Sequence, residues 1–325
     1  MQVVGGGTVI ELGPETEGPH APQPDEFWQE SVVLFWWDTN SGVGGYHRIG
    51  HEPNYRDGPI ISLWNNIFTP DYIYKDASTL PLREADKLSN GFGGGDTCRF
   101  EYTDHAIWTV NAKDVKATIH ARDFHTPVDI YPKKSDMTRD FSPNHMEVAG
   151  KVTGEVTVKG KTYPIDGLGF RDHGWGHRDW TGIVSHRWVA MTFEDGAMAL
   201  VQTFHSSTDQ LVRFGCVIRD SKLTYAKDVD VVTYMEPDGL THRGGVVTMT
   251  LTTGEKLAFE CVPLQKGVVS WIHGIACVDT FCRVKWGDKV GIADFETTNN
   301  AMRGGYRPYV AINAIEPNGL HPLGR

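Results

Sequence analysis

Cysteine is scarce in this chain. Five of the 325 residues are cysteine, Cys98, Cys216, Cys261, Cys277 and Cys282, an odd number with no paired CxxC spacing. That count argues against a disulfide scaffold or a zinc knuckle and leaves reduced core thiols as the expected state. No stretch approaches the ~20 consecutive apolar residues of a membrane-spanning helix. Met1-Gln2-Val3-Val4-Gly5-Gly6-Gly7 also lacks the basic and then apolar regions of a secretory leader. A soluble cytoplasmic protein with no integral membrane segment is therefore expected. Positive charge is short as well. Lys and Arg number 31 against 41 Asp and Glu, giving a formal charge of −10 and a pI near 5.8. No basic cluster is present to neutralise phosphates, so a nucleic-acid partner is excluded and a neutral or apolar one expected. Sustained 3.6-residue apolar periodicity is nearly missing too, with short helical pieces expected only around Leu82 to Leu88 and Asn299 to Arg303.

What is there reads as β. Hydrophobic residues at 40% and charged residues at 22% suit a folded globular chain. Ser31 to Trp37 is a run of β-branched and aromatic residues, Val115 to His120 alternates, and Ala197 to Phe204 is a short apolar run. Two hairpins follow from turn chemistry. Lys159-Gly160-Lys161 joins Glu155–Val158 to Thr162–Ile165, and Thr253-Gly254-Glu255 joins Val246–Thr252 to Lys256–Cys261. Short strands spread over more than 300 residues predict an all-β protein with a pair of sheets or barrels, because one sandwich needs only about 100 residues. The Gly- and Pro-rich stretch 1–26 reads as an extended lead-in. The polar, Pro-containing segment from Met137 to Asn144 is the expected boundary between an N-terminal β domain, 27–140, and a C-terminal one, 141–325.

Chemistry-bearing residues crowd into Gly169-Phe170-Arg171-Asp172-His173-Gly174-Trp175-Gly176-His177-Arg178-Asp179-Trp180. The glycines suit a bent strand end aiming polar groups at a cavity. Alternation sends Arg171 and Asp172 to opposite faces. Simple ion pairing of Arg171 or Arg178 with Asp172 or Asp179, and plain packing of Trp175 and Trp180, are the structural alternatives. A metal held by His173 and His177, with His186 and His205 following, is not expected. On a strand the first two imidazoles stand roughly ~13 Å apart, too far to share one ion. A second constellation, Phe35-Trp36-Trp37-Asp38 with Gly44-Gly45-Tyr46-His47-Arg48, offers aromatics around one carboxylate; Asp38 equally fits a turn before Asn40-Ser41-Gly42. Glu296 is a third candidate, on a strand where it shares a face with Asp294.

Taken together, Trp28-Gln29-Glu30-Ser31, Gly45-Tyr46-His47-Arg48-Ile49-Gly50 and the Arg171-to-Trp180 motif resemble a two-domain lipocalin-like superfamily. It includes AttH-like proteins, carotenoid hydratase (hydroxyneurosporene synthase), kievitone hydratase and certain fungal Diels-Alderases. The resemblance spans about Phe27 to Tyr309, and its specific part is the Arg-Asp-His-x-Trp-Gly core. It implies two antiparallel calycin-like β-barrels and chemistry without a cofactor, by protonation of an isolated alkene or tertiary alcohol or by shape-guided cyclisation. Asp172 would be the proton donor and Trp175 a cation stabiliser, with Trp37-Asp38 as an aromatic-Asp pair. His177 stands where many relatives carry Pro.

The expectation is thus a cofactor-independent hydratase, dehydratase, isomerase or cyclase acting on an apolar terpenoid-, prenyl- or steroid-like molecule. Asp172, held protonated in a dry pocket beside Trp175, His173 and Asp38 would carry catalysis, and Trp37, Tyr46, His177, Arg178, Trp180 and Glu296 would line the substrate. A non-catalytic carrier of a hydrophobic ligand is the reading from another class, and a metal-dependent hydrolase or oxygenase a third.

Overall fold

A computed structural model describes residues 2–3, 10–129, 141, 143–206 and 211–300. The structure is 69% strand and 4% helix, so the all-β expectation holds. Of the two expected helices, the first is a single 3-10 turn, Glu84–Asp86. At the second, Asn299 ends a strand and residues 301–303 lie outside the described residues.

Ten strands longer than two residues form the main path of the first unit's sheet: β1 Trp28–Asp38, β2 Val43–Glu52, β3 Ile60–Phe68, β4 Ile73–Pro81, β5 Gly91–Gly94, β6 Cys98–Tyr102, β7 Ala106–Ala112, β8 Val115–Asp123, β9 Asn144–Val158 and β10 Lys161–His177. They hydrogen-bond in the order β4-β3-β2-β1-β10-β9-β8-β7-β6-β5, all antiparallel, and form a half-barrel. The inner face collects Val32, Leu34, Trp36, Ile49, Leu63, Trp108, Ile119 and Val152 into one core. The odd-numbered partners of β1, Val33, Phe35 and Trp37, point the other way yet are buried too. A strand apolar at every position is what burial on both faces demands. Lys159 and Gly160 both take positive φ, 48° and 81°. They make the two-residue turn that ties β9 to β10, as the glycine there implied.

The second unit contains β11 Ile183–Phe193, β12 Met198–Ser206, β13 Leu211–Arg219, β14 Lys222–Met235, β15 His242–Leu251, β16 Lys256–Pro263, β17 Val268–Ile272, β18 Ile275–Trp286 and β19 Lys289–Asn299. Eight of them close into a barrel, β13-β12-β11-β19-β18-β16-β15-β14, with β14 returning to β13 and β17 paired on β18. Closure leaves no free edge in that ring. Its interior is filled by Val189, Met191, Phe193, Val201, Val247, Phe259 and Phe295 among others. All five cysteines are buried and none is in a disulfide among the described residues, in keeping with the expected reduced core thiols.

The units divide elsewhere than at residue 140. The compact units are Ile10–Asp129 with Ser142–Arg178, and the barrel from Asp179 onward with its smaller N-terminal pieces. The segment 142–178 belongs with the N-terminal strands because β9 pairs with β8 over nine residues and β10 pairs with β1 from Leu168↔Trp37 to His177↔Trp28. Backbone pairing, absent from a composition profile, overrides the polar stretch that marked a boundary. No described helix is long and apolar enough to cross a membrane.

Candidate functional site

Most of the crowded motif is one continuous strand. β10 runs unbroken from Lys161 to His177, so the predicted bend shrinks to Gly176, whose φ is +115°. A side chain there would also strike Pro143, since an added Cβ falls 2.4 Å from its Cγ. Up to that glycine the side chains alternate, and the motif does two different things on its two sides.

On the even side, Asp172 lies level with Glu147 of β9 and Val33 of β1, and Gly174 lies level with His145 and Ser31. One row further, Val33 is level with Arg48 and Arg48 with Trp64. These registers bring together residues that are far apart in sequence. His145 Nε2 is 3.1 Å from Asp172 Oδ2 and 3.2 Å from Glu147 Oε1. The Arg48 guanidinium lies 5.0 Å over the Trp64 ring and donates to Ser62 Oγ at 2.8 Å. Arg178 Nη1 donates to Ser31 Oγ at 3.3 Å. The apolar part of this side is Phe35 stacked on Phe170 at 5.8 Å, Tyr46 against Trp64 at 6.2 Å, and Trp37 on Phe68 at 6.4 Å.

The charge state of this group differs from the expected one. Burial alone would raise the Asp172 carboxyl, but His145, with Arg178 and Arg48 nearby, holds it below its ordinary value. Burial would equally discharge His145, yet Asp172 and Glu147 push the imidazole up to about 9. At neutral pH the proton therefore sits on His145 and Asp172 is ionised. Asp172 is not beside Trp175 either, because the two point to opposite sides of the strand.

The odd side of β10 holds the lead-in. Arg171 makes two forked pairs, to Asp123 at 2.9 and 2.6 Å and to Glu17 at 3.0 and 2.8 Å. These carboxylates outweigh burial and raise the guanidinium further. His173 Nε2 is 2.9 Å from Glu30 Oε1, which also lies 2.6 Å from His20 Nδ1. Trp175 stacks on His20 with centroids 4.0 Å apart and planes within 6°. Past Gly176, His177 Nδ1 meets Asp25 at 2.6 Å. The lead-in is thus no bare extension, for Glu17, His20 and Asp25 each meet a motif residue.

The remaining candidates separate. Asp38 accepts from Asn40 N, Ser41 Oγ and Asp166 N at 2.9, 2.9 and 3.3 Å, which makes it the cap of the β1–β2 turn. Trp180 and Glu296 belong to the second unit. Trp180 opens a 3-10 turn and meets Phe141 edge-on at 5.1 Å. Glu296 lies level with Asp279 and Trp188, with His186 Nδ1 3.3 Å away. Two residues before it, Asp294 is 0% exposed and neither carboxyl oxygen has a hydrogen-bond partner among the described residues. Burial first, then Asp279 and Glu296, pushes this carboxyl well above the ordinary range. The protonated aspartate sought at Asp172 is found here.

His145, Glu147 and Arg48 had no place among the predicted site residues. His145 and Glu147 are two apart in Asn144-His145-Met146-Glu147, a spacing that shares one face of a strand. That signal has meaning only once this stretch is assigned to a strand beside β10.

The chain belongs to the family described as domain of unknown function DUF7064. The match runs over residues 13–301, which takes in both units and every residue of the two clusters on β10. No curated protein sequence matches. Among solved structures, a Nitrosomonas europaea protein designated AttH shares the fold with a TM-score of 0.67 at 13% identity, covering 92% of this chain and 99% of that one. CghA, solved with Sch210972, gives 0.59 at 11% identity over 90% and 98%. Kievitone hydratase from Nectria haematococca gives 0.58 at 11% identity over 83% and 87%. The two-domain, lipocalin-like antiparallel β fold that the motif's resemblance implied is therefore the fold of this chain.

Proposed function

We propose that this DUF7064 chain is an acid-base enzyme of the hydratase, dehydratase, isomerase or cyclase kind. Its substrate would be an apolar terpenoid-, prenyl- or steroid-like molecule, and Asp172 with His145 would move the proton. The observation that carries the reading is the ionised His145–Asp172 pair, set on one sheet face among Phe35, Phe170, Tyr46 and Trp64. A buried donor and acceptor in contact, beside an apolar lining, is what proton transfer on a hydrophobic molecule needs. Two proteins of the same fold bear on the reaction: one is a hydratase acting on kievitone by its name, the other was solved with a small molecule.

The charge state narrows the chemistry. An imidazolium near 9 is too weak an acid to protonate an isolated alkene. It suits donation to a hydroxyl leaving beside a carbonyl, or to a carbonyl oxygen as negative charge develops there, while ionised Asp172 takes the proton released from the adjacent carbon; in the reverse direction the two exchange these roles. Arg48 and Arg178 keep Asp172 ionised and need not touch substrate. Asp38 serves the turn, and His173 and Trp175 face the lead-in, so these three take no chemical role here.

The test is turnover of a panel of hydroxylated or unsaturated carbonyl-bearing terpenoids and prenylated phenols in D2O, read by mass spectrometry. Wild type should form product carrying solvent deuterium. Asp172→Asn should lose about 10²- to 10⁴-fold in rate, the span of one acid-base group. Tight ligand binding with no product in any case would make the chain a carrier, and near-normal turnover in Asp172→Asn would remove the pair from the chemistry.

A further inference from the structure

The odd side of β10 carries a donor set with no part in the proposed proton transfer. His20 from the lead-in, Glu30 from β1 and His173 from β10 point a ring nitrogen, a carboxylate oxygen and a second ring nitrogen at one spot, all within 4.8 Å of one another. Glu30 and His173 are buried, while the His20 side chain is 25% exposed, which leaves an approach from solvent. Both rings are set before any ion arrives, His20 by its stack on Trp175 and His173 by the edge of Phe92 at 5.6 Å and 79°.

Charge bookkeeping favours a cation. The Glu30 carboxylate is surrounded by imidazoles and a backbone N–H, with no Lys or Arg in contact with it among the described residues. The other His-carboxylate group, His145 with Glu147 and Asp172, differs in this respect, because Arg48 and Arg178 already face it.

We propose that His20, Glu30 and His173 bind one divalent cation of the zinc class, and that the ion fastens the lead-in across the half-barrel. Two imidazoles and one carboxylate match zinc or cobalt better than magnesium or calcium, which prefer all-oxygen shells. Three protein ligands leave a fourth position, which water reaching the partly exposed His20 can fill. His173 Nδ1 has no hydrogen-bond partner among the described residues. The ring thus lacks the outer partner that tightens many structural sites, and a chelator should remove the ion readily. Nothing in this proposal depends on the proton-transfer reading.

The experiment uses the full chain, stripped with EDTA, titrated with zinc chloride by calorimetry and with cobalt(II) by visible absorption. One equivalent should bind, cobalt should give the intense bands of a tetrahedral site, and zinc should slow proteolytic cutting within residues 12–26. His20→Ala and Glu30→Gln should each lower zinc affinity at least ten-fold, while Asp172→Asn should leave it unchanged. Should Glu30→Gln fail to fold, His20→Ala, a change near the surface, decides alone. Absence of stoichiometric binding, or binding that survives His20→Ala, or loss of binding in Asp172→Asn, overturns the site.

Discussion

Asp172 and Asp294 are aspartates on long strands of rolled sheets, one in each unit, and both are largely withdrawn from water, yet they carry opposite charge. Asp172 touches an imidazole and lies near two guanidinium groups, which hold it ionised. Asp294 has Asp279 and Glu296 for neighbours and no hydrogen-bond partner among the described residues, which holds it protonated. Burial pushes both carboxyls the same way, so the neighbours brought alongside by strand register decide the sign. An aspartate in an aromatic-rich stretch therefore does not become a proton donor by burial alone.

Substitution can break that comparison at its strongest point. Asp172→Asn removes the acceptor and leaves the His145 proton facing Glu147 alone, and the rate loss of about 10²- to 10⁴-fold follows. Asp294→Asn, replacing a carboxyl already neutral, should change turnover less than ten-fold in the same assay. Equal losses in the two variants would erase the distinction. The next effect is on stability. The His145 imidazole is raised from an ordinary 6.5 to about 9 in the folded chain. A raised group contributes stability that is complete below 6.5 and lost as pH climbs through 9. Urea unfolding should show wild type losing up to about 3 kcal/mol across that window through this group. His145→Gln should flatten that slope, and an unchanged slope would mean the imidazole is not charged in the fold.

The sequence disclosed the fold class readily, because apolar runs such as Ser31 to Trp37, the Lys159-Gly160 turn and the lack of helical periodicity are local signals. The crowding of Asp, His, Arg and Trp in the motif is a local signal too. Its division of labour was half visible. Alternation correctly sends Arg171 and Asp172 to opposite sides, but what waits on each side is set by pairing. Glu17 lies 154 positions before Arg171, His145 is 27 before Asp172, and Arg48 reaches the site through Val33. The domain boundary was misplaced for the same reason, because long-range hydrogen bonds bind β9 and β10 into the N-terminal sheet across a polar segment. Glu296 was singled out from a strand pattern in which Asp294 shares its face. What raises Asp294 is its complete burial together with Asp279 of β18 and Glu296 beside it, and neither the burial nor the approach of Asp279 is written in the local pattern.

The smallest effect tests the second half of the comparison. In the folded chain the Asp294 carboxyl is raised well above its ordinary 3.8, so its contribution to stability is complete below about 3.8 and is lost progressively as pH rises toward the folded value. At neutral pH the unfolded chain gains by ionising while the folded chain does not. Asp294→Asn abolishes that difference. The variant should match wild type near pH 3.5 and become more stable than it as pH rises, by about 1 kcal/mol or more at pH 7, since each tenfold change in proton affinity is worth about 1.4 kcal/mol. Urea unfolding at pH 3.5, 5 and 7 reads this directly. A variant less stable than wild type at pH 7 would mean that Asp294 is ionised there and held by a cation, and the contrast with Asp172 would then be one of degree.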